Sequence, residues 1–231
     1  MTQVYLVTGA TSGVGLALAG LLYGANATVL AAGRNQTSGD ATMRSIRAAH
    51  PSSAGTLEFI EVNLDNLSSV AACARAVLSR DGGSGGGDGK LDVLFCNAGV
   101  MHPPPGSATA QGHELQVGVN CLGHVLLAEM LAPLLARTAA SAGRGAVRVV
   151  WVTSLYAETG SPEGGFEVDN LGFKKRTPDK YAAYAVSKAG AFYQAVEFGR
   201  RYEAQGIVSV VRVRYRLAWR ANTRLTDPTT L

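Results

Sequence analysis

Tyr184 and Lys188 stand four residues apart in "YAAYAVSKAGAF", a stretch whose apolar residues recur every three or four positions, so on a helix their side chains share one face. A phenol with a pKa of ~10 exchanges protons poorly near neutrality, and an adjacent ammonium favours the phenolate that a proton-transfer group needs. The same pair would also arise from a surface tyrosine lying on a lysine stem. Ser154 closes the apolar run "AVRVVWVTS", where a hydroxyl at a strand end can hydrogen-bond a ligand. Thr153 beside it could do the same, and strand-end hydroxyls also serve as helix caps or turn residues. Asn120 lies among apolar residues of "HELQVGVNCLGHVLLAEMLAPLLART", where a buried amide needs partners.

A second group of residues can hold a phosphate. In "VYLVTGATSGVGLALAGLL" an apolar run breaks at Gly9, Gly13 and Gly15 and resumes at helical spacing. Glycines admit a pyrophosphate close to the backbone, and the helix N-terminus behind them offers N–H groups and partial positive charge. The G-x-x-x-G-x-G spacing is neither a P-loop, since no lysine follows Gly15, nor the G-x-G-x-x-G fingerprint, and alone it is also compatible with a plain tight turn. After the second apolar run comes "VLAAGRN", with Arg34 and no Asp or Glu between Thr28 and Ser38. An acid here would accept the ribose hydroxyls of NAD, whereas an arginine pairs with a 2′-phosphate, so NADP is expected rather than NAD.

These residues must be positioned by a framework, and the sequence alternates strand and helix signals. Apolar β-rich runs occur at "QVYLVTG", "ATVLAAG", "LEFIEVN", "LDVLFCNAG", "VRVVWVTS" and "GIVSVVRV", with helical patterns between them. Near-continuous apolar strands separated by helices predict a doubly wound α/β domain of Rossmann type: one parallel sheet of six strands, covered on both faces. The stretch "HELQVGVNCLGHVLLAEMLAPLLART" reads as a single long helix, and "RDGGSGGGDGK" as a solvated connection.

At 231 residues, 47% hydrophobic and 16% charged, the chain can bury one sizeable core. Cys73, Cys96 and Cys121 form no CxxC pair and read as small buried hydrophobes, with neither a disulfide framework nor a metal site expected. The net charge of +4 belongs to the end of the chain: from Arg200 onward there are seven arginines against two acids, while the rest is near neutral. A nucleic-acid binder would carry its basic face on the folded body, so no nucleic-acid partner is expected. The first thirty residues are broken at Thr8 to Gly15 and lack a basic leader, so neither a signal peptide nor a membrane span is expected, and the location is expected to be cytoplasmic.

Three motifs occur together, in order and at matching sheet positions: "TGATSGVG", "CNAGV" and "YAVSK". Jointly they resemble the short-chain dehydrogenase/reductase family, from about Gln3 to Val211. The interval between Ser154 and Tyr184, with its "VDNLGF", is similar to the retinol-dehydrogenase-like branch and to fungal reductases of lipophilic alcohols and ketones. The resemblance implies a catalytic group of Asn120, Ser154, Tyr184 and Lys188, with Asn120 holding a water in the proton relay and Lys188 both tuning Tyr184 and holding the ribose. It implies cofactor contacts from Gly9, Ser12, Gly13, Val14, Gly15, Arg34, Asn97, Tyr184 and Lys188. Where the family usually has an Asp beside the adenine, this sequence has Asn63, a mild departure because an amide also donates and accepts.

The expected activity is therefore NADP-dependent interconversion of an alcohol and a carbonyl on a small lipophilic substrate, with a homo-oligomer left open. The ending departs from the family: residues 1–213 read as the dinucleotide-binding domain and 214–231 as an atypical basic tail. The Pro-Gly turn, substrate lid and seventh strand that the resemblance would supply are not found there. That departure keeps a second expectation open, a non-catalytic dinucleotide-binding or interaction protein of the same fold.

Overall fold

The structure, a computed structural model, describes residues 2–80 and 89–214; most of the glycine-rich connection and residues 215–231 of the basic tail lie outside the described residues. The strands are β1 (Val4–Thr8), β2 (Thr28–Gly33), β3 (Thr56–Glu61), β4 (Val93–Cys96), β5 (Val147–Ser154) and β6 (Ile207–Arg214). They form one sheet in the order β3-β2-β1-β4-β5-β6, every neighbouring pair parallel. All six expected strands are present.

The apolar runs are nearly continuous because both faces of the sheet are covered. Successive side chains point to opposite sides, so Leu6, Leu30 and Ala32 enter one core cluster while Val7, Val29 and Ala31 enter another. The second is closed by Ala19 and Tyr23 of α1 (Gly13–Gly24) and Ile46 of α2 (Gln36–Ala49). The first takes Val70, Cys73 and Val77 of α3 (Leu67–Leu78) together with Leu127, Leu131, Leu134 and Leu135 of α5 (His124–Ser141). All three cysteines are buried, and burial pushes the Cys73 and Cys121 thiols up to about 12.

The long apolar stretch expected as one helix is helical but irregular. Glu114 caps its start by accepting from Val117 N at 2.8 Å, α4 (Leu115–Val117) gives one short turn, and Gly118–Gly123 is π-helical before α5 begins. The helical stretch Leu115–Ser141 is long and apolar enough to cross a membrane; here it is mostly buried, as the central core helix. Beyond β5 lie a short helix the sequence reading did not contain, α6 (Tyr156–Thr159), then a 3-10 turn at Val168–Asn170, then α7 (Lys180–Tyr202). Asp179 caps α7, accepting from Tyr181 N and Ala182 N at 2.8 and 2.9 Å, which fixes where the helix carrying Tyr184 starts. Strand order reverses between β1 and β4, and such a fold opens a ligand crevice at the strand C-termini there.

Candidate active site

A cleft of about 340 Å³ opens at that switch point. Its floor is the β1–α1 loop with Gly9, Thr11, Ser12, Gly13, Val14 and Gly15; Gly33 ends β2 and Arg34 follows it, Asn63 and Asp65 follow β3, and Asn97, Ala98 and Gly99 follow β4. Val152 and Thr153 of β5 and Tyr184 and Lys188 of α7 form the far wall.

The three loop glycines do different work. Gly9 turns the chain at φ +68°, with Ala98 so close that an added Cβ would sit 3.0 Å from it. Gly13 also has positive φ, in open space. Gly15 is a packing requirement: a Cβ there would run into the Gly9 carbonyl and lie 2.6 Å from Asn97 Nδ2. Ser12 sits at the N-cap of α1 in extended conformation without making a side-chain cap, and the first turn has no acid. The helix dipole and first-turn N–H groups are thus left for an anion, at a loop where Gly9, Gly13 and Gly15 open the backbone between Thr11, Ser12 and Val14.

Lys188 is 5% exposed, and its Nζ donates to Val152 O at 3.0 Å and lies 5.8 Å from the Tyr184 ring centroid. Its backbone carbonyl accepts from Thr153 Oγ1 at 2.6 Å, tying α7 to the end of β5. Thr153 therefore has a structural task and Ser154, the next residue, does not share it. Ser154 does not line the cleft itself; it is half-buried at the rim, its Oγ accepting from Tyr156 N at 3.3 Å. The Tyr184 ring is flanked edge-on by Tyr156 (5.9 Å) and His102 (5.7 Å).

Asn120 lies behind the cleft, not in its wall. It is 2% exposed in the π-helical turn, accepts from Val100 N at 2.9 Å, and donates to Val100 O and Ser187 Oγ at 3.0 and 2.9 Å. Ser187 Oγ in turn donates to Tyr184 O at 2.7 Å, so the amide links the segment after β4 to the turn of α7 that carries Tyr184. Gly99 makes this proximity possible, since a Cβ on it would be 3.1 Å from Asn120 Oδ1 and 3.4 Å from Lys188 Nζ.

Three contributors were missed in the sequence. Gln116, fully buried, accepts from His102 N and donates to Lys180 O, joining the loop after β4 to the start of α7. His102 holds the uncommon φ of +54° against Tyr181 and Tyr184. His124, 2% exposed, lies in the same apolar helix as Asn120. None has a sequence signal, because each acts through contacts between distant segments.

The family profile described as short chain dehydrogenase matches residues 3–166. The chain belongs to the short chain dehydrogenase family. It is 43% identical over 212 residues to a short-chain dehydrogenase/reductase of Phomopsis amygdali, covering 90% of this chain and 60% of that one. With the short-chain dehydrogenase/reductase pkfC of Emericella nidulans it shares 41% identity over 210 residues, covering 90% and 64%. The chain thus spans about three fifths of the length of these fungal relatives. Among solved structures, a protein of Mycobacterium paratuberculosis is similar at 30% identity with TM-score 0.70, covering 91% of this chain and 67% of that one. A short-chain dehydrogenase of Sphingobium yanoikuyae in complex with NADPH shares the fold at 18% identity, TM-score 0.66, with 91% and 70% covered. The six-stranded parallel sheet of this chain is a short chain dehydrogenase fold, and the family is one of oxidoreductases that use a nicotinamide dinucleotide.

Proposed function

We propose that this short chain dehydrogenase is an NADP-dependent oxidoreductase that interconverts a small lipophilic ketone or aldehyde and its alcohol. The observation that carries the reading is that one cleft brings together the glycine loop, Arg34 and the Tyr184–Lys188 pair. The cradle fits a dinucleotide: a glycine-opened turn at the α1 N-terminus for the pyrophosphate, Arg34 for a 2′-phosphate, Asn63 and Asp65 at the adenine end, and Asn97 beside the turn. The nicotinamide, when bound, supplies or takes the hydride.

Everything else falls to the chain's own residues. Tyr184 gives its phenolic proton to the substrate oxygen in reduction and takes one back in oxidation. Lys188, held buried by its bond to Val152 O, places a cation over the Tyr184 ring, where it attracts the negative charge that develops as the proton is given up. Ser154 Oγ, at the cleft rim, holds the substrate oxygen by a hydrogen bond. Asn120, behind the cleft, anchors the π-helical turn to Val100 and Ser187 and so steadies the turn of α7 that carries Tyr184. Met101, Leu115 and Val119 give the cleft an apolar wall, which suits a lipophilic substrate.

The test is to follow NADPH oxidation by the purified chain with a panel of lipophilic ketones, alongside Tyr184→Phe. Turnover by the parent and its loss in the variant supports the reading. NADPH binding without turnover on any ketone would leave a dinucleotide-binding protein of the same fold.

A further inference from the structure

His124 belongs to none of the roles above, yet it is a titratable ring buried between the end of β1 and the π-helical turn. Its Nε2 lies 3.0 Å from Thr8 Oγ1, at the end of β1 where the glycine loop begins. Its Nδ1 lies 3.4 Å from the backbone carbonyl of Asn120, one turn earlier in the π-helical segment.

The hydrogen-bond inventory fixes the direction of these contacts. Thr8 Oγ1 already accepts from Asn97 N and Ala98 N, both at 3.0 Å, which fills its two lone pairs. A third incoming donor has nowhere to bind, so Nε2 is the acceptor and the Thr8 hydroxyl proton is shared between it and Phe95 O at 3.1 Å. A neutral imidazole with Nε2 as acceptor carries its proton on Nδ1, and that proton points at Asn120 O. Burial keeps the ring neutral, pushing its pKa down to about 4; the bond to Asn120 O works against this, and the Lys188 ammonium of α7 reinforces it.

Each end of this ring matters to a different part of the site. Thr8 gathers the backbone of Asn97 and Ala98, and its own carbonyl accepts from Asn97 Nδ2 at 2.8 Å, so it sets the loop that receives the dinucleotide. Asn120 sets the turn that reaches Ser187 and Tyr184. We propose that His124, as a neutral Nδ1–H tautomer donating to Asn120 and accepting from Thr8, is a positioning residue that holds the cofactor loop and the proton-transfer group in register. This rests on the proposed reductase reading for its catalytic half and on the hydrogen-bond geometry alone for the rest.

The ends can be cut separately. His124→Asn keeps a donor at the Nδ1 position and loses the reach to Thr8; His124→Gln keeps an acceptor at the Nε2 position and loses the donor to Asn120. The expected result is a split: the Asn variant weakens NADPH about three- to tenfold and slows turnover less, whereas the Gln variant slows turnover by about that factor and weakens NADPH less, each the loss of one hydrogen bond. Equal changes in both quantities, or none in folded variants, would make His124 core filling and overturn the proposal. Nitrogen NMR of the imidazole in the parent chain supplies a readout independent of activity and of variant folding. A protonated Nδ1 with a bare Nε2 at pH 7 is expected; the opposite tautomer overturns the assignment. If the parent turns over no ketone, the reductase reading fails, while the tautomer and the NADPH affinities still decide the role of His124.

Discussion

At the scale of single residues, some groups line the cleft and others hold those groups still. Arg34 follows β2 at the cleft edge, and a charge-assisted contact to a 2′-phosphate contributes about 1.5–3 kcal/mol. Arg34→Ala is expected to weaken NADPH by roughly 10- to 150-fold with NADH nearly unaffected, a ratio that titrations of both cofactors measure. An unchanged ratio would remove Arg34 from the 2′-phosphate role. Tyr184→Phe keeps the ring contacts with Tyr156 and His102 and deletes only the exchangeable proton, so turnover should fall by at least ~100-fold while NADPH affinity barely moves. His124 predicts a pH effect on stability. Its pKa is lowered on folding from 6.5 to about 4, so the native ring resists a proton that the unfolded chain accepts. The contribution is whole above pH 6.5 and drains as pH falls towards 4, by about 3 kcal/mol in all. Denaturant unfolding of parent and His124→Gln across this window should show the parent losing more stability by about that amount; parallel curves would mean the ring titrates freely.

At the scale of elements, two close approaches decide whether the cleft forms. Gly15 packs its helix onto the Gly9 carbonyl and Asn97, and Gly123, which ends the π-helical turn, would bring a Cβ to 2.7 Å from Leu64 O. Neither backbone can yield cheaply. Gly15→Ala should weaken NADPH by disturbing the loop, and Gly123→Ala should cost about 1–3 kcal/mol of stability by overpacking, measured by cofactor titration and denaturant unfolding respectively. The strands were legible because both sheet faces are covered, which leaves long apolar runs such as "VRVVWVTS". The glycine loop and the Tyr184–Lys188 face were legible because their spacing is local. The π-helical turn was not: it arises where Gly118 meets Thr109 and Gly123 meets Leu64, contacts with no trace in the periodicity of the apolar stretch. His124 and Gln116 were hidden for the same reason, since a polar residue among apolar neighbours carries no sign of the distant backbone it will bond. Ser154 stands out by its motif, but neither the short α6 helix nor the bond that Tyr156 N donates to Ser154 Oγ was foreseen.

At the scale of the whole molecule, the cleft exists because β1 and β4 sit side by side while their following loops diverge, and every strand from β1 to β5 sends a residue to or beside it. A ligand bridging those loops must stabilise the domain as one unit, by about 2.7 kcal/mol at a hundredfold excess over Kd. The two core clusters on opposite faces of the sheet, and Trp151 with its Nε1 bonded to Ser209 Oγ across to β6, give that unit its rigidity. The proposed function requires this assembled cleft to move a hydride and a proton together. It is tested most directly by incubating the purified chain with NADPH and lipophilic ketones and quantifying both NADPH consumed and alcohol formed. One alcohol is expected for each NADPH oxidised, with Tyr184→Phe reduced to a small fraction of the parent rate; NADPH held without oxidation by any ketone would overturn the proposed function.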